Sequence, residues 1–253
     1  MRKTVASFLA SLLFVGLVSA EEKIMVAAAA NVSAVAADLG AAFSAKYPGY
    51  RAEFTFGASG ALVTQMLNGS PAEVLLSADT AFPQKLVDAG AAAGPVKVYA
   101  FGSLILLSTK KLDFSKGLAV LAEPSVVQFA NSNPETAPYG RAAEEALKKA
   151  SLFDSVKAKL VTAQNVTQAL QFTLSGADAG FVNKSALRSK DVLPYDNEGV
   201  NWIEIDPRLY SPIAQGFVVT KSALARPAVA AFADFLLSPE AKAVFLSFGY
   251  AAP

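Results

Sequence analysis

Short apolar runs alternate with longer segments of helical period along most of this 253-residue chain. Lys23-Ile24-Met25-Val26-Ala27-Ala28 reads as a buried strand. Val35, Leu39 and Phe43 then share one face of a helix spanning Val32 to Tyr47, which Pro48-Gly49 ends. Arg51 to Phe56 alternates like a strand, and Gly60 to Asn68 reads as a helix closed by Gly69. Val74 to Ser77 reads as a strand, and Pro83 to Asp88 as a helix stopped by Gly90. Further strands are expected at Val98 to Ser108, Val126 to Ala130, Gly180 to Val182 and Gln215 to Thr220. Further helices are expected at Arg141 to Ala150, Val166 to Leu174, Pro227 to Leu237 and Pro239 to Phe248. This alternation implies an α/β architecture with a largely parallel sheet. No internal repeat or Pro/Ser-rich linker interrupts it, so two α/β lobes would have to be joined by strands rather than by a flexible tether.

The first twenty residues follow a different pattern. Arg2 and Lys3 precede an uncharged stretch from Val5 to Val18, and Val18-Ser19-Ala20 offers small or modest side chains before Glu21-Glu22-Lys23. A basic start, a short apolar region and a small-residue cleavage site make an export leader cleaved after Ala20. The uncharged stretch is shorter than the roughly 20 residues a membrane span needs. No cysteine follows the cleavage site, so no lipid anchor is expected. The mature chain would be exported. Cleavage lowers the basic count from 22 to 20 against 21 acidic residues, so the formal charge moves from +1 to −1.

Composition narrows the chemistry. The chain has no cysteine and no histidine, which excludes disulfides, thiol nucleophiles, zinc fingers, imidazole bases and His-ligated metals. A near-zero charge balance without a basic block also excludes the cationic footprint of a nucleic-acid binder.

Four places share one local design, in which a strand ends, a small polar or glycine-containing turn follows and a helix begins. They are Ala29-Ala30-Asn31-Val32-Ser33, Gly57-Ala58-Ser59-Gly60-Ala61, Pro138-Tyr139-Gly140-Arg141 and Gln164-Asn165-Val166-Thr167. Each helix start exposes free N–H groups and the positive end of a helix dipole. Asn31, Ser59 and Asn165 are also good N-cap types, so ordinary capping is the plain reading of any one of them. No charged residue lies between Lys23 and Asp38, between Glu53 and Glu73, or between Lys159 and Asp178. Three of the four starts fall in those windows; the fourth has Glu135 and Arg141 nearby. Neutral donors at helix starts suit a small, fully deprotonated oxyanion, whereas a protonated one would want an acceptor as well. Burial alone would also empty such windows of charge.

The sequence resembles the periplasmic molybdate-binding proteins in Val26 to Asn31, Phe56-Gly57-Ala58-Ser59-Gly60, Leu76-Ser77-Ala78-Asp79 and Asn133 to Gly140. Ala163-Gln164-Asn165-Val166, Gly180-Phe181-Val182 and Phe248-Gly249-Tyr250 extend the resemblance in the expected order along the mature chain. It implies the two-lobed α/β fold of periplasmic binding proteins (type II), with the ligand in the cleft between lobes. It also implies a monomeric receptor, neither an enzyme nor a nucleic-acid binder, that needs no cofactor. Such a receptor captures molybdate or tungstate and passes it to the membrane permease of an ABC importer. Carried over by position, the binding residues are Ala30 through its N–H, Asn31 through its amide, Ser59 through hydroxyl and N–H, Tyr139, and Val166 through its N–H. Asn183 stands where one branch has a tyrosine. The oxyanion would bind through these groups, with no direct ligand to the metal. The same mapping implies one lobe from residues 21–101 and 214–253 and a second from 102–213.

Other signals are weaker. Gly57-Ala58-Ser59-Gly60 lacks both dinucleotide and Walker spacing. Asp79 fits a helix cap, and Phe82, Phe172, Phe181 and Phe217 fit a core. The competing functions are a receptor for sulfate, a phosphonate or ferric iron, and an enzyme on a similar fold that relies on Asp79 or Glu135.

Overall fold

The computed structural model describes residues 21–253, so the export leader expected over residues 1–20 lies outside the described residues. From the N-terminal side the chain lays down β1 (Glu22–Ala29), a 3₁₀ turn (Ala30–Ala34), α1 (Ala36–Lys46), β2 (Tyr50–Gly57) and α2 (Ser59–Leu67). Then come β3 (Val74–Leu76), α3 (Ala81–Asp88), β4 (Ala92–Gly102) and β5 (Leu104–Leu107). The middle of the chain supplies β6 (Phe129–Ser132), α4 (Pro138–Lys149), α5 (Phe153–Val156), β7 (Leu160–Ala163), α6 (Val166–Ser175), β8 (Ala179–Asn183) and β9 (Trp202–Glu204). It ends with β10 (Ile213–Thr220), α7 (Pro227–Leu236) and α8 (Pro239–Ser247).

These elements form a two-lobed α/β fold around two five-stranded sheets, ordered β2-β1-β3-β10-β4 and β7-β6-β8-β5-β9. In each sheet three strands run parallel, and the next two enter antiparallel to their neighbours. The expectation of largely parallel sheets is therefore corrected to mixed ones. β5 and β10 sit between strands that run opposite to them, each entered directly after the chain has crossed from one sheet to the other.

Fully buried phenylalanines fill the face of the first sheet. The Phe43 and Phe232 rings meet edge to face at 5.0 Å, with Phe235 packed on Phe43 at 5.4 Å. Burying each such ring contributes about 1.5–3 kcal/mol. Phe82, Phe181 and Phe217 are buried as expected, while Phe172 is half-buried against a cluster of alanines.

Three departures from the apolar pattern have local causes. The run Val98 to Ser108, expected as one strand, divides at Ser103 between the two sheets: Gly102 pairs with Ile213 and Leu104 with Asn183. A continuous hydrophobic run cannot mark a change of partner. The strand expected at Val126 begins only at Phe129, because the Asp178 carboxylate takes the N–H groups of Val127 at 2.7 Å and Gln128 at 3.0 Å. The helix expected from Val32 starts instead as the 3₁₀ turn and becomes α-helical after Val35.

Candidate functional site

Four of the parallel strands, β1 and β2 in one sheet and β6 and β7 in the other, end facing a common space. In open α/β sheets the carboxyl ends of the strands are where ligands bind. Here the space is bounded by Ala30, Asn31 and Ser59 on one side and by Pro138, Tyr139, Asn165 and Val166 on the other. Small side chains, including Ala58, Ala78 and Ala137, complete the wall, and none of the residues lining it is charged. About 200 Å³ there is free of protein atoms, part of it continuous with solvent.

Each wall residue is held by its own element. Ser59 is the first residue of α2, and its Oγ accepts the Ala78 N–H at 3.1 Å, which leaves the hydroxyl proton for another acceptor. Asn165 caps α6 by accepting the Gln168 N–H at 3.0 Å, so the Val166 N–H at the first helical position has no acceptor within the helix. Pro138 opens α4 at a position where its missing N–H costs nothing, and Tyr139 follows. Gly140 is required beside them, because a Cβ there would lie 2.0 Å from the Ser132 carbonyl oxygen.

Of the three residues expected to cap helices, only Asn165 does so. Asn31 and Ser59 have other buried partners. The Asn31 Nδ2 donates to Gln215 Oε1 at 2.8 Å and to the Tyr250 hydroxyl at 2.9 Å. The Tyr139 phenol accepts from Gln215 Nε2 at 3.1 Å, so Tyr139 presents the start of its helix to the cavity and its hydroxyl to Gln215.

Five of the six expected site residues, Ala30, Asn31, Ser59, Tyr139 and Val166, thus line one cavity. Asn183 lies outside it, at the end of β8, with its Nδ2 2.6 Å from Ser185 Oγ and 3.4 Å from the Asn31 carbonyl oxygen. Pattern reasoning missed the residues behind the wall, namely Gln215, Tyr99, Tyr250 and Ser185. Gln215 carried a readable signal: it is a lone polar side chain in the apolar run from Ile213 to Val219, and such a residue needs a buried partner.

The electrostatics are those of neutral donors. Burial pushes the Tyr99 and Tyr139 phenols well above their ordinary range and the Tyr250 phenol up to about 12, so all three keep their protons. Charge appears only outside the cavity, where Arg141 of α4 pairs with Asp79 at 2.5 Å. Asp79 also accepts the Phe82 N–H at 3.0 Å, which makes it the cap that its sequence position suggested. Glu135 is exposed on the turn before α4.

Two further contacts join the sheets around the cavity. The Gly60 N–H donates to the Thr136 carbonyl at 2.9 Å, and the Thr167 hydroxyl donates to the Ala30 carbonyl at 3.1 Å. A family model described as bacterial extracellular solute-binding protein matches residues 24–251. The chain belongs to that family. Among its relatives, the molybdate-binding protein ModA of Rhodobacter capsulatus is 35% identical, over 97% of this chain and 94% of that one. ModA of Azotobacter vinelandii is 36% identical, over 90% and 89%. The solved structure of the Azotobacter vinelandii periplasmic molybdate-binding protein superposes with a TM-score of 0.83 at 33% identity, covering 91% of this chain and 99% of that one. For a solute-binding protein, an uncharged cavity walled by helix starts is a place that can hold a solute.

Proposed function

We propose that this protein is the periplasmic receptor of an ABC importer, that it captures molybdate or tungstate, and that it delivers the ion to the membrane permease. One observation carries the reading: helix starts from both sheets converge on a single small cavity whose wall holds no charge. A dianion with four acceptor oxygens and no proton matches a wall of N–H and O–H donors. Helix dipoles and oriented donors stabilise it without a counter-charge, and burial strengthens each bond. The names and full-length similarity of the relatives support the same ligand.

In this reading Ala30, Ser59, Tyr139 and Val166 donate backbone N–H groups, Ser59 adds its hydroxyl, and Asn31 adds its amide. Asn183 supports Asn31 from behind. The mobile bodies are residues 21–101 with 214–253, and residues 102–213, hinged at the two crossings between sheets. The bonds from Gly60 to Thr136 and from Thr167 to Ala30 form as the bodies close on the ion.

Calorimetric titration with molybdate, tungstate and sulfate tests the ligand. Tight binding of the first two with little or none of the smaller sulfate is expected; sulfate binding as tight as molybdate would overturn the assignment. Small-angle scattering tests the closure, which is refuted if the protein is equally compact with and without molybdate.

A further inference from the structure

Asn31 lines the cavity, yet both protons of its Nδ2 are committed to Gln215 and Tyr250, which do not line it. Its Oδ1 is buried without a partner. An amide held this way shows an oxyanion an acceptor where a donor is wanted. Two phenols behind it are mismatched as well. The single Tyr99 proton faces two acceptors, Ser77 O at 3.1 Å and Gln215 Oε1 at 3.0 Å. The Tyr139 hydroxyl accepts from Gln215 Nε2, which leaves its own proton unspent.

A second arrangement of the same atoms removes all three mismatches. With both amides turned end for end, Gln215 Nε2 donates to Asn31 Oδ1 and to the Tyr99 hydroxyl, and the Tyr99 proton goes to Ser77 O. Gln215 Oε1 accepts the Tyr139 proton, and the Tyr250 proton moves to Asn31 Oδ1 from the Asn31 carbonyl oxygen 3.0 Å away, which keeps Asn183 Nδ2 at 3.4 Å. Asn31 Nδ2 then takes the place of the orphaned oxygen and offers its protons to the cavity. Neither amide can turn alone, because that would set oxygen against oxygen or nitrogen against nitrogen across the 2.8 Å contact.

We propose that the second arrangement is the one that meets the anion, and that Gln215 is a positioning residue: its amide, 2.8 Å from that of Asn31, donates to Asn31 Oδ1 and so turns Asn31 Nδ2 toward the cavity. This deepens the oxyanion-receptor reading and rests on it.

The test is a double-mutant cycle read by calorimetric molybdate titration, using Asn31→Ala, Gln215→Met and the double variant. Each single change is expected to weaken binding roughly tenfold or more, and the double variant to bind within about twofold of Asn31→Ala, because Gln215 acts through Asn31. Losses that multiply would overturn the coupling while leaving the receptor reading intact. Failure of the unmodified protein to bind molybdate would overturn both. Side-chain amide NMR of the ¹⁵N-labelled protein gives a readout that packing alone does not move. Molybdate should shift the NH₂ signals of Asn31 and Gln215 together, and a shift of Asn31 with Gln215 unmoved would refute the coupling.

Discussion

The two sheets wall the same cavity by different means. On the first-sheet side the start of α2 is joined by side chains: the Ser59 hydroxyl, fixed by the Ala78 N–H, and the Asn31 amide, backed by Gln215 and Tyr250. On the second-sheet side the wall is made of helix starts alone, α4 at Tyr139 and α6 at Val166, whose side chains turn elsewhere or are apolar. Side-chain donors can be exchanged by mutation and reoriented by their neighbours. Backbone donors are fixed by the helix and indifferent to most substitutions. The first side can therefore tune the ligand, while the second supplies invariant positive potential.

The comparison is broken most directly by removing one donor from each side. Ser59→Ala should weaken molybdate binding by about 1.5–3 kcal/mol, the usual worth of a hydrogen bond to a charged group. Val166→Pro should cost about the same, because it deletes the N–H at a helix position where proline is otherwise tolerated. Val166→Ala keeps the N–H and should leave the affinity within about twofold of the unmodified protein. Calorimetry on the three variants decides the matter; a large loss in Val166→Ala would mean that the second side also works through side chains.

Gly60→Ala tests how closely the sides must approach. A Cβ there would lie 2.7 Å from the Phe82 ring and 3.2 Å from the Thr136 Cα. It should weaken binding by about 1–3 kcal/mol, the usual cost of overpacking, with the apo protein still folded by circular dichroism. Asp79→Asn keeps the cap on α3 but removes the ion pair to the partly exposed Arg141. Its effect should be below about 1 kcal/mol and should vanish in high salt.

The smallest expected effect concerns pH. Between about pH 6 and 9 no group in the wall changes charge, so molybdate affinity should stay flat across that range. Fold stability responds outside that range: it falls in acid as carboxylates such as Asp178, held below their ordinary range in the fold, take up protons, and it falls again at high pH. The Tyr250 phenol ionises near 10.0 when unfolded and at about 12 when folded, so the unfolded chain loses its proton first and stability falls as pH rises through that interval. A bell-shaped affinity profile near neutrality would show that a titrating group had been overlooked.

Much of the donor layer was legible because it is local. A strand end, a small turn and a helix start lie within a few residues of one another, and the charge-free windows around Asn31, Ser59 and Val166 reflect the uncharged wall directly. The layer behind it was not legible, because its contacts join distant positions; Asn31 and Gln215 are 184 residues apart. Long-range pairing also explains the fold errors. Val98 to Ser108 changes sheets without changing character, and the Asp178 carboxylate displaces a strand some fifty residues upstream. β7 and β9 passed unnoticed, being strands of four and three residues with no clear alternation.

The central claim is that neutral donors from both sheets hold one dianion. The most direct test is a crystal structure of the molybdate complex with the molybdenum located by anomalous scattering. The account predicts one strong peak between Ser59 and Val166, with oxygens about 2.7–3.2 Å from the Ser59 hydroxyl and from the N–H groups of Tyr139 and Val166. No Lys or Arg should be in contact. A peak elsewhere, or an ion held by a charged side chain, would contradict it.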